Sequence, residues 1–161
     1  MRSQCAIALL VVLGGGCDSS ATAPQHAPFL VDSSPPEGEI LTSAGGTPLE
    51  LSAVLGDENL DDSISLRLLV DYPAGPDVPR AHLILAVVLP PTGEVNRTAV
   101  HMQPRCDTLG LGSGLHRLVL SASDRPFLDA MSGDDVDPEG PLDSVPFDAH
   151  RLRTVWLLNC P

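Results

Sequence analysis

From residue 28 onward the chain is written in short alternations of apolar and polar positions. Leu49, Leu51, Ala53 and Leu55 alternate with Glu50, Ser52 and Val54, and Ile64, Leu66, Leu68 and Val70 alternate with Ser65, Arg67 and Leu69. A period of two is that of a half-buried strand, whose successive side chains point to opposite faces. Residues 81–89 are apolar on both faces. Periodicity alone allows a central strand or a short buried helix there, and the flanking prolines Pro79, Pro90 and Pro91 with the Leu, Ile and Val content favour a strand. Thr98, Val100 and Met102 predict a shorter one. Leu118, Leu120 and Ala122 face away from Arg117, Val119 and Ser121, and in the last segment Leu152, Trp156, Leu158 and Cys160 share a face. With residues 29–32 as the first, this gives about seven strands punctuated by Gly, Pro and Asp. The expectation is an all-β, two-sheet antiparallel sandwich over residues 28–161, with no convincing helix and no internal repeat.

The opening of the chain follows a different pattern. Arg2 supplies a positive charge, residues 6–13 form an eight-residue apolar run, and small residues follow, which is the layout of an export signal. A run of eight is far short of the roughly 20 residues a membrane-spanning helix needs. Leu13-Gly14-Gly15-Gly16-Cys17 resembles a bacterial lipobox, with Leu13 one place further from the cysteine than the family usually has it. The resemblance implies a lipoprotein signal peptide at 1–16, lipid-modified Cys17 as the mature N-terminus and a membrane held through acyl chains. Cleavage after Ala21-Thr22-Ala23 is the rival, and it places Pro24 directly after the cut. Residues 17–27 then read as the lipidated cysteine and a flexible tether.

Composition narrows the function classes. The formal net charge is −12, so nucleic acid is excluded as a partner, because phosphate contacts require clustered cations. Of four cysteines, Cys5 leaves with the signal and Cys17 takes the lipid. Export to an oxidising compartment predicts a Cys106–Cys160 disulfide, the alternative being two free buried thiols.

The segment Gly114-Leu-His-Arg-Leu-Val-Leu-Ser-Ala-Ser-Asp124 resembles the penultimate strand of immunoglobulin-like domains of the PKD and cadherin-like kind, and Pro35-Pro36-Glu37-Gly38 and residues 51–62 extend the likeness. It implies an Ig-like sandwich and no particular binding activity, since antibody-type hallmarks are missing. If the last two strands run antiparallel, the end of the last lies beside the start of the one before, which brings Cys160 to Cys106. Trp156, on the same face as Cys160, is then a core residue.

In such a fold the loop after the second strand and the loop before the last emerge at one end, and both are acidic. Residues 56–62 carry Asp57, Glu58, Asp61 and Asp62; residues 124–150 carry eight carboxylates, Asp135, Asp137 and Glu139 among them. Calcium takes six to eight oxygens, and Asp135-x-Asp137-x-Glu139-Gly140 echoes the start of a calcium loop. Its twelfth position is Pro146 rather than a bidentate Glu. The candidate calcium ligands are therefore Asp57, Asp61, Asp135, Asp137 and Glu139, against the commoner outcome of solvated acidic loops. The first strand starts at the same end, so a lipid tether would hold the acidic loops toward the membrane.

Other motifs carry less. Gly110-Leu-Gly-Ser-Gly114 precedes a strand and reads as a turn rather than a phosphate loop. His101, Cys106 and His116 lack metal-ligand spacing, and no catalytic triad is written in the five histidines. Asn96-Arg-Thr98 matches a glycosylation sequon by chance. The reading is a non-enzymatic, lipid-anchored component of a bacterial cell envelope with an unidentified envelope protein as partner. The alternatives are a calcium-dependent adhesion or scaffold module and a secreted hydrolase using the acidic loops.

Overall fold

The computed structural model describes residues 25–42, 49–73, 81–97, 100–128 and 142–161. Among the described residues eight strands form two sheets: β1 (Phe29–Ser34), β3 (Leu51–Gly56) and β6 (Val100–Met102) in the order β1-β3-β6, and β2 (Ile40–Thr42), β8 (Arg151–Cys160), β7 (Gly114–Ser123), β4 (Ile64–Val70) and β5 (His82–Leu89) in the order β2-β8-β7-β4-β5. No described residue is helical. The architecture is an Ig-like β-sandwich, and the alternating segments became its strands.

Two features depart from the pattern reading. The first strand is split. Pro35 and Pro36 interrupt it, and Gly38 takes the left-handed φ of +81° that suits glycine in a turn. The Gly38 N–H donates to Val155 O (2.9 Å) and the Leu157 N–H to Glu39 O (3.2 Å), which moves the chain from one sheet to the other. There β2 pairs in parallel with β8, Ile40 opposite Leu157, so the sandwich is not wholly antiparallel. The second departure is β5, expected at the centre of a sheet. It lies at an edge, paired with β4 alone among the described strands, and its residues are exposed or half-buried. A run that is apolar on both faces marks a buried strand when neighbours cover it, and here the sheet ends first.

The core lies between the sheets. Leu51, Ala53 and Leu55 from β3 meet Ile64, Leu66, Leu68 and Val70 from β4, Leu118, Leu120 and Ala122 from β7, and Trp156 and Leu158 from β8. Each fully buried Leu or Ile contributes about 2 kcal/mol of transfer free energy. Trp156 is wholly buried, and its indole Nε1 donates to Pro35 O at 3.0 Å, so the largest core side chain also holds the point where the first strand breaks.

The strand β7 runs antiparallel to β8 with Gly114 opposite Cys160. Cys106, eight residues before Gly114, closes a disulfide with Cys160 across a Cα–Cα distance of 5.8 Å. The bridge joins the last strand to the loop that leaves the smaller sheet.

Candidate functional site

The loop between β3 and β4 and the segment between β7 and β8 do emerge at one end of the sandwich, and the described residues before β1 reach the same end. The His26 N–H donates to Asn59 Oδ1 at 2.7 Å and the His26 ring lies 3.2 Å from Glu58. His26, which the sequence assigns to the tether, thus already touches the acidic loop.

Two of the expected calcium ligands fall on described residues, and they part company. Asp57 is fully buried and Asp61 is exposed. Asp57 Oδ1 accepts the Asn59 N–H at 2.8 Å, a local turn that closes the loop on itself. Desolvation pushes its carboxyl above the ordinary carboxylate value, against the Asn59 N–H and the Arg97 charge, which favour the ionised form. Asp57 Oδ2 and Asp62 Oδ2 are both buried without a hydrogen-bond partner. Asp135, Asp137 and Glu139 lie outside the described residues, as do Cys17, the leader and residues 18–24. Among the described residues no group of three or more His, Cys, Asp or Glu is arranged to hold a metal ion.

One cation at this end is Arg97, from the sequon. It is buried, and its guanidinium donates to the carbonyls of Asn59 (3.0 Å), Leu60 (3.3 Å) and Asp62 (3.1 Å) and to Thr92 Oγ1 (3.2 Å). Because it binds backbone carbonyls, it organises the loop as a cap and leaves the carboxylates to find other partners. Asp124, also buried, accepts from the His150 N–H (2.8 Å) and faces the His150 ring (3.1 Å), which ties the two roots of the long loop together.

A second cluster is one the sequence pattern does not announce. On the outer face of the five-stranded sheet the register lines up Ser65, Ser123 and Arg151 in one row and Arg67, Ser121 and Arg153 in the next. Such rows ordinarily face water. Here Ser65, Ser121 and Ser123 are buried, and Phe127, Leu142 and Asp143 lie against this face. The anchor is Asp143, whose carboxylate accepts from Tyr72 Oη (2.5 Å), Arg153 Nε (2.8 Å), Arg151 Nη1 (3.1 Å) and more distantly Ser121 Oγ (3.5 Å). Arg67 Nη1 donates to Leu142 O (2.6 Å) and its guanidinium stacks over Phe127 (4.7 Å), while Arg153 lies over Tyr72 (5.4 Å). Burial raises the Tyr72 phenol above its usual value, and the bond to Asp143 raises it further, so Tyr72 is a neutral donor. Composition groups Asp143 with the solvated acidic loop, and it is instead the buried pin of that loop. The signal in the sequence is Arg151-x-Arg153 on a face where β4, β7 and β8 offer no carboxylate of their own.

At the opposite end Asp71, in the left-handed region (φ 56°), accepts the Arg117 N–H (3.0 Å) and contacts His116 Nδ1 (2.7 Å), while His116 Nε2 lies 2.9 Å from Gly112 O. Both partners are acceptors, so the geometry suits an imidazolium donating from both nitrogens. Desolvation works against that charge, yet the Asp71 carboxylate and the Gly112 carbonyl outweigh it and raise the His116 value.

No protein-family model matches the chain, and no curated protein sequence matches it. Among solved structures the chain is similar to AggA, the major subunit of aggregative adherence fimbriae type I from Escherichia coli, at 9% identity and a TM-score of 0.44, over 86% of this chain and 98% of that one.

Proposed function

We propose that this chain is an exported, lipid-anchored protein of a bacterial cell envelope, with a non-enzymatic structural or protein-interaction role. One observation carries the proposal. The two cysteines left after Cys5 and Cys17 are assigned to the leader and the lipid site are joined to each other, and structural bridges belong to oxidising compartments. The non-enzymatic half draws on how the buried polar groups are used. Asp143, Asp124, Asp71 and Arg97 are engaged in holding loops to the sandwich. A lipid on Cys17 would lie nine residues from His26 and would hold the acidic end toward the membrane.

Mass spectrometry of the protein purified from membranes tests this in one measurement. The expected mass lacks residues 1–16, carries acyl groups on Cys17 and is two hydrogens short for the bridge. A chain that retains Met1 and has both late thiols reduced overturns it.

The calcium-dependent reading keeps one specific support, the buried and unpartnered Asp57 Oδ2 and Asp62 Oδ2. A hard divalent ion would satisfy both. Calorimetric titration with calcium that gives neither heat nor a thermal shift removes that reading and leaves the first intact.

A further inference from the structure

We infer, resting on the protein-interaction half of the proposed role and not on the lipid anchor, that the outer face of the five-stranded sheet binds an acidic peptide segment of a partner protein. The segment carrying Asp143 occupies that site as a competitor supplied by the chain itself.

Charge is divided unevenly between this sheet and the loops. The chain holds 21 Asp and Glu, yet β2, β4, β5, β7 and β8 contain none of them. They contain Arg67, Arg117, Arg151 and Arg153, four of the nine basic residues of the chain. Alternation along β4, β7 and β8 puts all four on the face opposite to Leu66, Leu118 and Trp156 in the core. The strands' own charges on this face are therefore all positive, and the complementary partner is an anion.

The donors are arranged for a peptide rather than for a bare ion. Arg153 Nε (2.8 Å), Arg151 Nη1 (3.1 Å) and Tyr72 Oη (2.5 Å) converge on the Asp143 carboxylate, while Arg67 Nη1 donates to the Leu142 carbonyl (2.6 Å) and Arg151 Nη1 to the Asp143 carbonyl (2.8 Å). Two successive backbone carbonyls and a carboxylate are what an acidic segment offers, and a phosphate offers no such row. These donors stand on strands or, for Tyr72, just beyond one, whereas their occupant comes from a connection. Among the described residues the backbone bonds of Ser144 and Pro146 go to Leu128 and Ala149, neither of which is in a strand. The occupant is thus held on the face by the same side chains that a partner would compete for, and Arg151 and Arg153 are 34% and 40% exposed to it. Beside them Arg67, Ala86, Val88 and Phe127 line a cavity of about 230 Å³, room for a further side chain of a bound peptide.

Fluorescence polarisation of a labelled hexapeptide, Leu-Asp-Ser-Val-Pro-Phe, with the full chain in detergent tests the site. Asp143→Ala removes the chain's own carboxylate and is expected to bind the peptide at least tenfold more tightly than the parent does. The same peptide with Asn in place of Asp is expected to bind that variant at least tenfold more weakly. Adding Arg153→Gln to Asp143→Ala is expected to remove the binding. Asp143→Asn keeps the shape of the side chain and serves the same comparisons if Asp143→Ala does not fold. At constant ionic strength, phosphatidylglycerol vesicles and inorganic phosphate are expected to leave the peptide bound. A variant that binds the peptide no more tightly than the parent, treats the Asp and Asn peptides alike, still binds after Arg153→Gln, or yields the peptide to vesicles or phosphate overturns the inference.

Discussion

The five-stranded sheet has a cluster on each face, and the two are built on opposite principles. The inner one is apolar, closed by the smaller sheet, and centred on Trp156, Leu118, Leu120, Leu66 and Leu68. The outer one is small and mixed. Leu69, Val119 and Tyr72 are buried there beside buried serines, and residues 142–146 are pinned over them by Asp143. Non-directional burial holds the inner cluster, and any well-shaped hydrophobe serves it. The outer cluster depends on directed bonds to one carboxylate. Loss of that carboxylate strands several donors at once.

Mutations separate the two. Trp156→Ala is expected to cost the most, about 4 kcal/mol by chemical denaturation, from the cavity and transfer terms together with the lost bond to Pro35 O. A cost under about 1 kcal/mol would mean that the inner cluster does not carry the fold. Asp143→Asn is expected to cost about 2 kcal/mol, less than a fully buried pair would, because Arg151 and Arg153 are 34% and 40% exposed and remain hydrated. Its diagnostic is local: hydrogen exchange should quicken at residues 142–146 and stay slow at Leu118 and Leu120. Uniform acceleration would merge the clusters into one cooperative unit.

A third test concerns the far end of the sheet. His116 is raised above its ordinary value of 6.5, so the folded state holds the proton more tightly than the unfolded one. The resulting stability is complete below 6.5 and is lost as pH rises through the raised folded value. His116→Gln should abolish that stretch of the stability profile, and an identical pH dependence in parent and variant would contradict the bonds to Asp71 and Gly112.

The smallest effect returns to the inner cluster, where Thr154 Oγ1 is buried with no partner. Thr154→Val keeps the shape and removes an unsatisfied hydroxyl, so a gain of about 1 kcal/mol is expected. A loss would show that the hydroxyl is bonded, by water for example.

The inner face was legible in the sequence because a half-buried strand repeats every two residues. Leu118, Leu120 and Ala122 therefore declared their direction before any partner was known. Trp156 was placed in the core for the same reason. The Cys106–Cys160 bridge followed from the order of the last two strands and a count of cysteines. The outer cluster was not legible: Ser121, Ser123, Arg151 and Arg153 read as a solvent face, and they are one until a loop comes back over it. Arg97 was hidden for a similar reason, since its partners are backbone carbonyls 35 to 38 residues away, which no side-chain pattern records.

The chain by itself determined the class of fold, the inward face of β3, β4, β7 and β8 and the pairing of its late cysteines, because these depend on local periodicity and on chain order. Tertiary structure decided which strand would be an edge, where the first strand changes sheets, and which carboxylates of an acidic segment would be buried. Those outcomes depend on neighbours distant in sequence. The same apolar octapeptide would be core between two strands and is an open seam beside one; the same Asp is hydrated in a free loop and is a clasp where two arginines and a tyrosine converge on it.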